Sequence, residues 1–189
     1  MPELSVFNSV SLDGYFTDDN NNYSFAHEGA TDPEVMKFTK GNAQGANALI
    51  FGRVTYDLMS AWWPTPAAAK AMPEISEGMN KAPKYVFSRT LDAADWSNTT
   101  VLKGDPAAEM ARLKQTPGPD MTILGSGTIV AQLTAAGLID DVQLMVCPVL
   151  LGAGTPLFKP GRRHKLKLTS SKSFSTGIVI SRYLPAAQD

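Results

Sequence analysis

The sequence has one cysteine, two histidines, no excess of either charge and no long apolar run. Each scarcity excludes a class of protein. A single cysteine, Cys147, permits no intrachain disulfide, so a secreted disulfide scaffold is excluded. His27, His164 and Cys147 are too few for a His/Cys zinc cluster, and no metal is expected. Lys plus Arg number 17 and Asp plus Glu 18, a formal net charge of -1. No broad basic surface follows, which argues against non-specific nucleic-acid binding and leaves room for one small basic pocket. The longest apolar run, about Met145 to Leu151, is broken by Pro148 and falls far short of the ~20 residues of a membrane-spanning helix. Met1 to Val10 carries neither a basic stretch nor a long apolar one. The expectation is a cytoplasmic protein with no membrane partner.

What is present points to a globular chain. Hydrophobic residues make up 43% of the 189 positions and charged residues 19%, which excludes a disordered or fibrous protein. The length fits the ~100–200 residues of one domain, so residues 1–189 are expected to form a single one. Leu4 to Leu12 alternates with period two, apart from Phe7, and reads as a strand. A polar stretch then runs from Asp13-Gly14 to Thr31. Asp32-Pro33-Glu34 starts a helix, with Asp as cap, Pro in the first position and an acid in the first turn. Gly41 or Gly45 ends it.

Ala48-Leu49-Ile50-Phe51 is continuously apolar, as in a strand buried on both faces. It runs into Gly52-Arg53-Val54-Thr55-Tyr56 and a second helix whose apolar face is expected at Val54, Leu58 and Ala61. Trp62 to Pro66 stops that helix. Pro73 to Lys81 reads as a short helix, Lys84 to Ser88 and Thr99 to Leu102 as strands, and Asp105-Pro106 to Gln115 as another helix. Met121 to Leu124 is a strand, Gly125-Ser126-Gly127 a tight turn, and Thr128 to Ala136 a helix. Val142 to Val149 is a strand, and Lys165–Phe174 with Ile178–Leu184 a C-terminal hairpin. Strand and helix alternate over the first three-quarters. The fold class is therefore α/β, with a largely parallel sheet, helices on both faces and antiparallel edge strands at the end.

Three strand-to-helix or strand-to-loop corners could carry chemistry. Leu124-Gly125-Ser126-Gly127-Thr128 turns a buried strand into a helix start, where unpaired N–H groups and the helix dipole favour an anion. It is equally readable as a tight connection without a ligand. Gly52-Arg53-Val54-Thr55 puts a cation and a hydroxyl at a second corner, and Ser88-Arg89-Thr90 does so at the end of a third strand. Ligands of open α/β sheets bind beyond the carboxyl ends of strands, and all three corners lie there. Asp13-Gly14 reads either as a type I′ turn or as an acid at the reacting end of a ligand. His27 reads as solvated, Arg162 to Lys165 as an exposed cationic turn, and Cys147 as a buried small hydrophobe. No Ser-His-Asp arrangement and no G-x-S-x-G elbow is present.

These motifs occur in the order found in dihydrofolate reductase-like proteins. Ser11-Leu12-Asp13-Gly14 and the late run from Pro148 to Phe158 resemble one branch more closely, the reductase domain of bifunctional riboflavin-biosynthesis proteins and its stand-alone relatives. The resemblance covers nearly the whole chain. It implies a three-layer αβα fold, a reductase of a small heterocyclic substrate, and NADPH across the carboxyl ends of the strands. It puts Gly52, Arg53 and Thr55 at the cofactor phosphates. Ser88 and Arg89 fall near the adenosine 2′-phosphate, and Gly125, Ser126, Gly127 and Thr128 at the pyrophosphate. Asp13 is the candidate for positioning the proton, and a homodimer is expected. One departure matters. Where dihydrofolate reductases carry an acid on the helix before the Gly-Arg strand, this chain offers Met36, Phe38 and Thr39, with Glu34 a turn earlier. Dihydrofolate is therefore expected to be a poor substrate. The competing expectation is a non-catalytic pterin- or nucleotide-binding protein on the same fold.

Overall fold

The computed structural model describes residues 1–29, 32–43, 45–158 and 163–186. Thr31, where the polar stretch was expected to end, and Arg162, in the expected cationic turn, lie outside the described residues.

The chain order is β1 (Leu4–Ser11), β2 (Tyr15–Thr17), a single 3-10 turn (Ser24–His27), α1 (Pro33–Ala43), β3 (Ala48–Gly52), α2 (Arg53–Trp62), α3 (Pro66–Ala71) and α4 (Pro73–Lys81). Then come β4 (Lys84–Phe87), β5 (Thr99–Leu102), α5 (Pro106–Gln115), β6 (Met121–Leu124), α6 (Gly127–Ala135), β7 (Asp141–Cys147), β8 (Thr155–Pro156), β9 (Leu166–Ser173) and β10 (Val179–Pro185). Eight strands form one sheet in the order β5-β4-β3-β6-β1-β7-β10-β9. The six from β5 to β7 are parallel, and β10 and β9 close the edge antiparallel.

Local chemistry sets the helix starts. Asp32 Oδ1 accepts the N–H groups of Glu34 and Val35 at 2.9 and 3.1 Å, and Asp105 accepts those of Ala107 and Ala108 at 3.0 Å. Thr65 repeats the device, accepting from Ala68 at 3.1 Å ahead of Pro66. The Trp62–Pro66 segment therefore does more than end a helix. Its proline sits at the first position of α3, where a missing N–H costs nothing.

Alternation along the strands divides the core. Leu4, Val6, Ile50 and Ile123 pack on one face under α5 and α6, with Met110, Val130 and Leu133. On the other face are two separate clusters. Leu49, Phe51 and Val86 meet Tyr56 of α2 and Ile75 and Met79 of α4. Val35 of α1 meets Met145, Phe174 and Ile180. The layers are thus helix, sheet, helix, and the second helical layer parts over β1 and β6. The parting is the cleft described below.

Two local expectations differ from the structure. Val54 and Leu58 do not face the core. They are 73% and 47% exposed, while Thr55 and Tyr56 are buried. The close approach of α2 to β6 selects the small hydroxyl side for the inside. Asp13-Gly14 is not a type I′ turn either, because Gly14 has φ 87° while Asp13 keeps a negative φ. The Gly14 N–H closes on Ser11 O at 2.9 Å, so the bend is centred one residue earlier.

Candidate functional site at the carboxyl ends of the strands

Parallel pairing of β3 with β6 brings their two corners side by side. The Gly52 N–H donates to Ser126 Oγ at 2.6 Å. The Ser126 N–H donates to Thr55 Oγ1 at 3.0 Å, and the two hydroxyls are also 3.0 Å apart. Gly52, Thr55, Gly125 and Ser126, expected at one ligand from separate motifs, are therefore joined in one network. Thr55 and Ser126 are buried, as is Asn8, whose Oδ1 accepts the Gly125 N–H at 2.7 Å. Asn8 also donates to Gly125 O at 3.4 Å, so it holds both sides of that residue.

The network holds a strained backbone. Gly125 has φ +63°, and a Cβ there would stand 2.7 Å from Thr55 Cγ2. Ser126 is itself left-handed, with φ 62° and ψ 57°, a rare state for a residue with a side chain. Because Ser126 Oγ serves Gly52 and Thr55, it does not cap α6. Among the described residues the N–H groups of Gly127 and Thr128 have no partner. A nine-residue helix thus opens on the corner with two free donors and its positive dipole end.

The cations sit around this corner. Arg53 Nε pairs with Asp57 at 2.7 Å. Arg89 is exposed and makes no ion pair among the described residues. Ser88 Oγ accepts the N–H groups of Thr90 and Leu91 at 3.3 and 3.0 Å, which shapes the turn. Ser88 and Arg89 do not line the cleft. They follow Phe87, which does, and Phe87 lies opposite Gly52 in the sheet.

Asp13 has a different task from the one expected of it. It does not line the cleft. Its Oδ1 accepts from Ser11 Oγ at 2.6 Å and from the Leu151 N–H at 3.2 Å, and its Oδ2 from the Gly152 N–H at 2.8 Å. The Ser11 hydroxyl above all, and then the Gly152 amide, hold the carboxyl below its ordinary range. It is a charged acceptor at neutral pH and has no proton to give. It ties the bend after β1 to the 148–154 loop. Beyond that tie, β2 pairs with β8, and Phe16 of β2 reaches over Gly125 and Gly127.

The cleft itself has a volume of about 1140 Å³. Its floor is the sheet face carrying Ser5, Phe7 and Ser9 of β1, Leu124 of β6, and Gln143 and Met145 of β7. Met36 and Thr39 of α1 form one wall, and Leu58, Met59 and Trp63 the other. Glu34 stands outside, paired with Lys172 at 3.2 Å, so α1 presents no carboxylate to the cleft. Tyr23 and His27 lie at its mouth with ring centroids 5.3 Å apart. His27 is exposed, as expected, and it also lines the cleft, which no local pattern marks. Asn8 did leave a signal, as a polar residue at a core-facing position between Val6 and Val10. Cys147 is buried, and burial pushes its thiol up to about 11, in keeping with a small hydrophobe. Among the described residues no cluster of His, Cys, Asp and Glu could hold a metal ion. No described helix is long and apolar enough to cross a membrane.

Comparison with known proteins places this architecture. The family model of the RibD C-terminal domain matches residues 2–180. The uncharacterized protein YyaP of Bacillus subtilis (strain 168) is 30% identical over 172 residues, 90% of this chain and 88% of that protein. A solved structure from Shewanella sp. PV-4 carries a riboflavin-biosynthesis name. It superposes with a TM-score of 0.73 at 20% identity, covering 98% of this chain and 99% of that one. A pyrimidine reductase-like protein of Corynebacterium diphtheriae gives 0.60 at 14% identity, over 99% and 93%. At these identities the likeness of the two structures is one of fold.

Proposed function

The chain belongs to the RibD C-terminal domain family, and from that premise we propose that it is an NADPH-dependent reductase of a small heterocycle. The observation that supports this most directly is the corner. Two free N–H donors at the start of α6 open onto a cleft large enough for a nicotinamide ring and a substrate together. Gly127 and Thr128 would hold the pyrophosphate, with Gly52, Thr55 and Ser126 fixing the backbone around it. Arg89, at the end of β4 beside β3 and with no ion pair among the described residues, would take the 2′-phosphate. The cofactor supplies the hydride, and the protein supplies orientation and exclusion of water. Phe7, Met36 and Met145 give a flat heterocycle an apolar bed. With Asp13 committed elsewhere, Asp141 paired with Arg182 and no acid on α1, the remaining cleft-wall groups able to carry a proton to the substrate are Tyr23 and His27. The same absence of an acid on α1 makes dihydrofolate a poor substrate. We also propose a homodimer through β9, which is exposed along its whole length and carries Leu166 and Leu168 on an unpaired edge.

Calorimetric titration tests the cofactor assignment. NADPH is expected to bind at least ~10-fold more tightly than NADH, and Arg89→Ala to erase the difference, as the loss of one charge-assisted pair predicts. Equal affinities in the unaltered chain would overturn it. Tight NADPH binding without oxidation across a panel of pteridines and pyrimidines would favour the non-catalytic binding protein.

A further inference from the structure

A polar side chain at a core-facing strand position costs stability unless it is bonded. Asn8, 4% exposed between Val6 and Val10, spends both ends of its amide on one residue. Backbone pairing of β1 with β6 stops at Phe7 and Leu124, while β1 goes on beside β7. Asn8 therefore stands where the chain of β6 leaves the sheet. Its Oδ1 accepts the Gly125 N–H at 2.7 Å, and its Nδ2 donates to Gly125 O at 3.4 Å. The second bond falls on the Gly125–Ser126 peptide. The other end of that peptide, the Ser126 N–H, donates to Thr55 Oγ1 at 3.0 Å.

This peptide has a less strained alternative. Ser126 is left-handed, with φ 62°. A half-turn of the 125–126 peptide plane exchanges its carbonyl and its N–H. It also returns Ser126 to a negative φ, which suits a residue with a Cβ. Gly125 tolerates the accompanying change because it has no side chain. Thr55 does not oppose the turn, since a hydroxyl donates to a carbonyl as well as it accepts from an N–H. Asn8 does oppose it. After the turn its Nδ2 would face the Ser126 N–H, donor against donor. Reversing the amide would move the same conflict to the Gly125 N–H. The observed peptide satisfies both ends of the side chain, and the turned one satisfies one end at most. The turn would also bring Gly125 O to the side where Gly52, Thr55 and Ser126 converge at the start of α6. An acceptor there repels a phosphate, whereas the N–H dipole now in that place favours one.

We propose that Asn8 is a positioning residue that holds the Gly125–Ser126 peptide with its carbonyl turned away from the corner, and so keeps the start of α6 receptive to a pyrophosphate. The proposal rests on the reading of this corner as the cofactor's pyrophosphate site.

Crystal structures of the free chains and calorimetry with NADPH test it on Asn8→Asp and Asn8→Leu. An aspartate accepts at both oxygens. Asn8→Asp should therefore show the turned peptide, with Gly125 O toward Thr55 and Ser126 at negative φ. It should bind NADPH at least ~10-fold less tightly than the unaltered chain. Asn8→Leu offers a partner to neither arrangement, so the peptide divides between them and the loss should be smaller, about 3-fold. A residue that only fastened β1 to β6 would give the opposite order, because aspartate keeps the Gly125 N–H bond and leucine keeps neither. Asn8→Asp preserves the shape of the side chain and carries the test by itself if Asn8→Leu does not fold. An unturned peptide in Asn8→Asp, or a greater loss in Asn8→Leu, overturns the proposal. If Asn8→Asp turns the peptide but the unaltered chain binds no NADPH, the cofactor reading fails and the control of the peptide by Asn8 stands. NADPH bound equally by all three chains removes Asn8 and keeps the cofactor reading.

Discussion

Two of the places where polar groups are buried make a contrast. At the Asn8–Thr55–Ser126 corner they leave donors pointing outward. At the Asn80–Lys84–Trp96 cluster they close on themselves. Lys84 is 1% exposed, yet its Nζ donates to Asn80 O at 3.1 Å and Ala82 O at 2.6 Å, and lies 4.6 Å from the centroid of the Trp96 ring. Trp96 Nε1 donates to Asn80 Oδ1 at 2.7 Å, Asn80 Nδ2 to Trp63 O at 2.9 Å, and the Trp96 N–H to the Tyr56 hydroxyl at 3.2 Å. Every group in that cluster is spent on fastening α4 and the loop after β4. The corner spends its side chains on holding a left-handed backbone, and the N–H groups of Gly127 and Thr128 remain free. Burial of polar atoms alone does not mark a site. The mark is unspent hydrogen-bonding capacity held in a strained frame and open to a cleft.

The contrast can be broken from either side. The largest effect is expected from Gly125→Val, which forces a branched side chain onto φ +63° and against Thr55. NADPH affinity measured by calorimetry should fall at least ~100-fold, and circular dichroism should still report a folded chain. An unchanged affinity would mean that the corner is only a connection. Asn80→Leu attacks the other region, leaving Trp96 Nε1 without a partner and Trp63 O with the Ser76 hydroxyl alone. Chemical denaturation should show a loss of about 2–3 kcal/mol, with NADPH affinity intact. A loss of affinity instead would show that the two regions are coupled.

The smallest effect is a pH dependence confined to the closed cluster. Burial pushes the Lys84 ammonium down to about 8. Between pH 8 and the ordinary lysine range near ~10.4, the unfolded chain therefore holds a proton that the folded chain has released. Stability must rise with pH across that window. Thermal melts of the unaltered chain should climb relative to those of Lys84→Met between pH 8 and pH 10. Parallel curves would show that the two carbonyls and the Trp96 face keep Lys84 charged throughout.

Much of the architecture was legible locally. Asp32-Pro33 and Asp105-Pro106 announced α1 and α5, because an N-cap followed by proline satisfies the first turn wherever the rest of the chain lies. Thr65-Pro66 carried the same signal for α3 and was read as a stop, since the tryptophans before it end α2. The apolar stripe Val54–Leu58 was misplaced for a different reason. Helical spacing shows that two residues share a face, and only the neighbours decide whether that face meets the core or a cleft. Asp13 was visible as an acid at a strand end. Its partners, 138 and 139 residues later in sequence, were not.

The sequence by itself determined the class of fold and the three polar corners at the carboxyl ends of strands, because these rest on residue alternation, caps and glycines that act over a few positions. The tertiary structure alone decided what the corners do. Parallel pairing of β3 with β6 put Ser126 between Gly52 and Thr55, although 74 and 71 residues separate it from them. The separation of α1 from α2 over the sheet opened the cleft, and strand register set Asp141, Gln143 and Arg182 together at its far end. Contacts of that range depend on the packing of whole elements, and no local pattern encodes them.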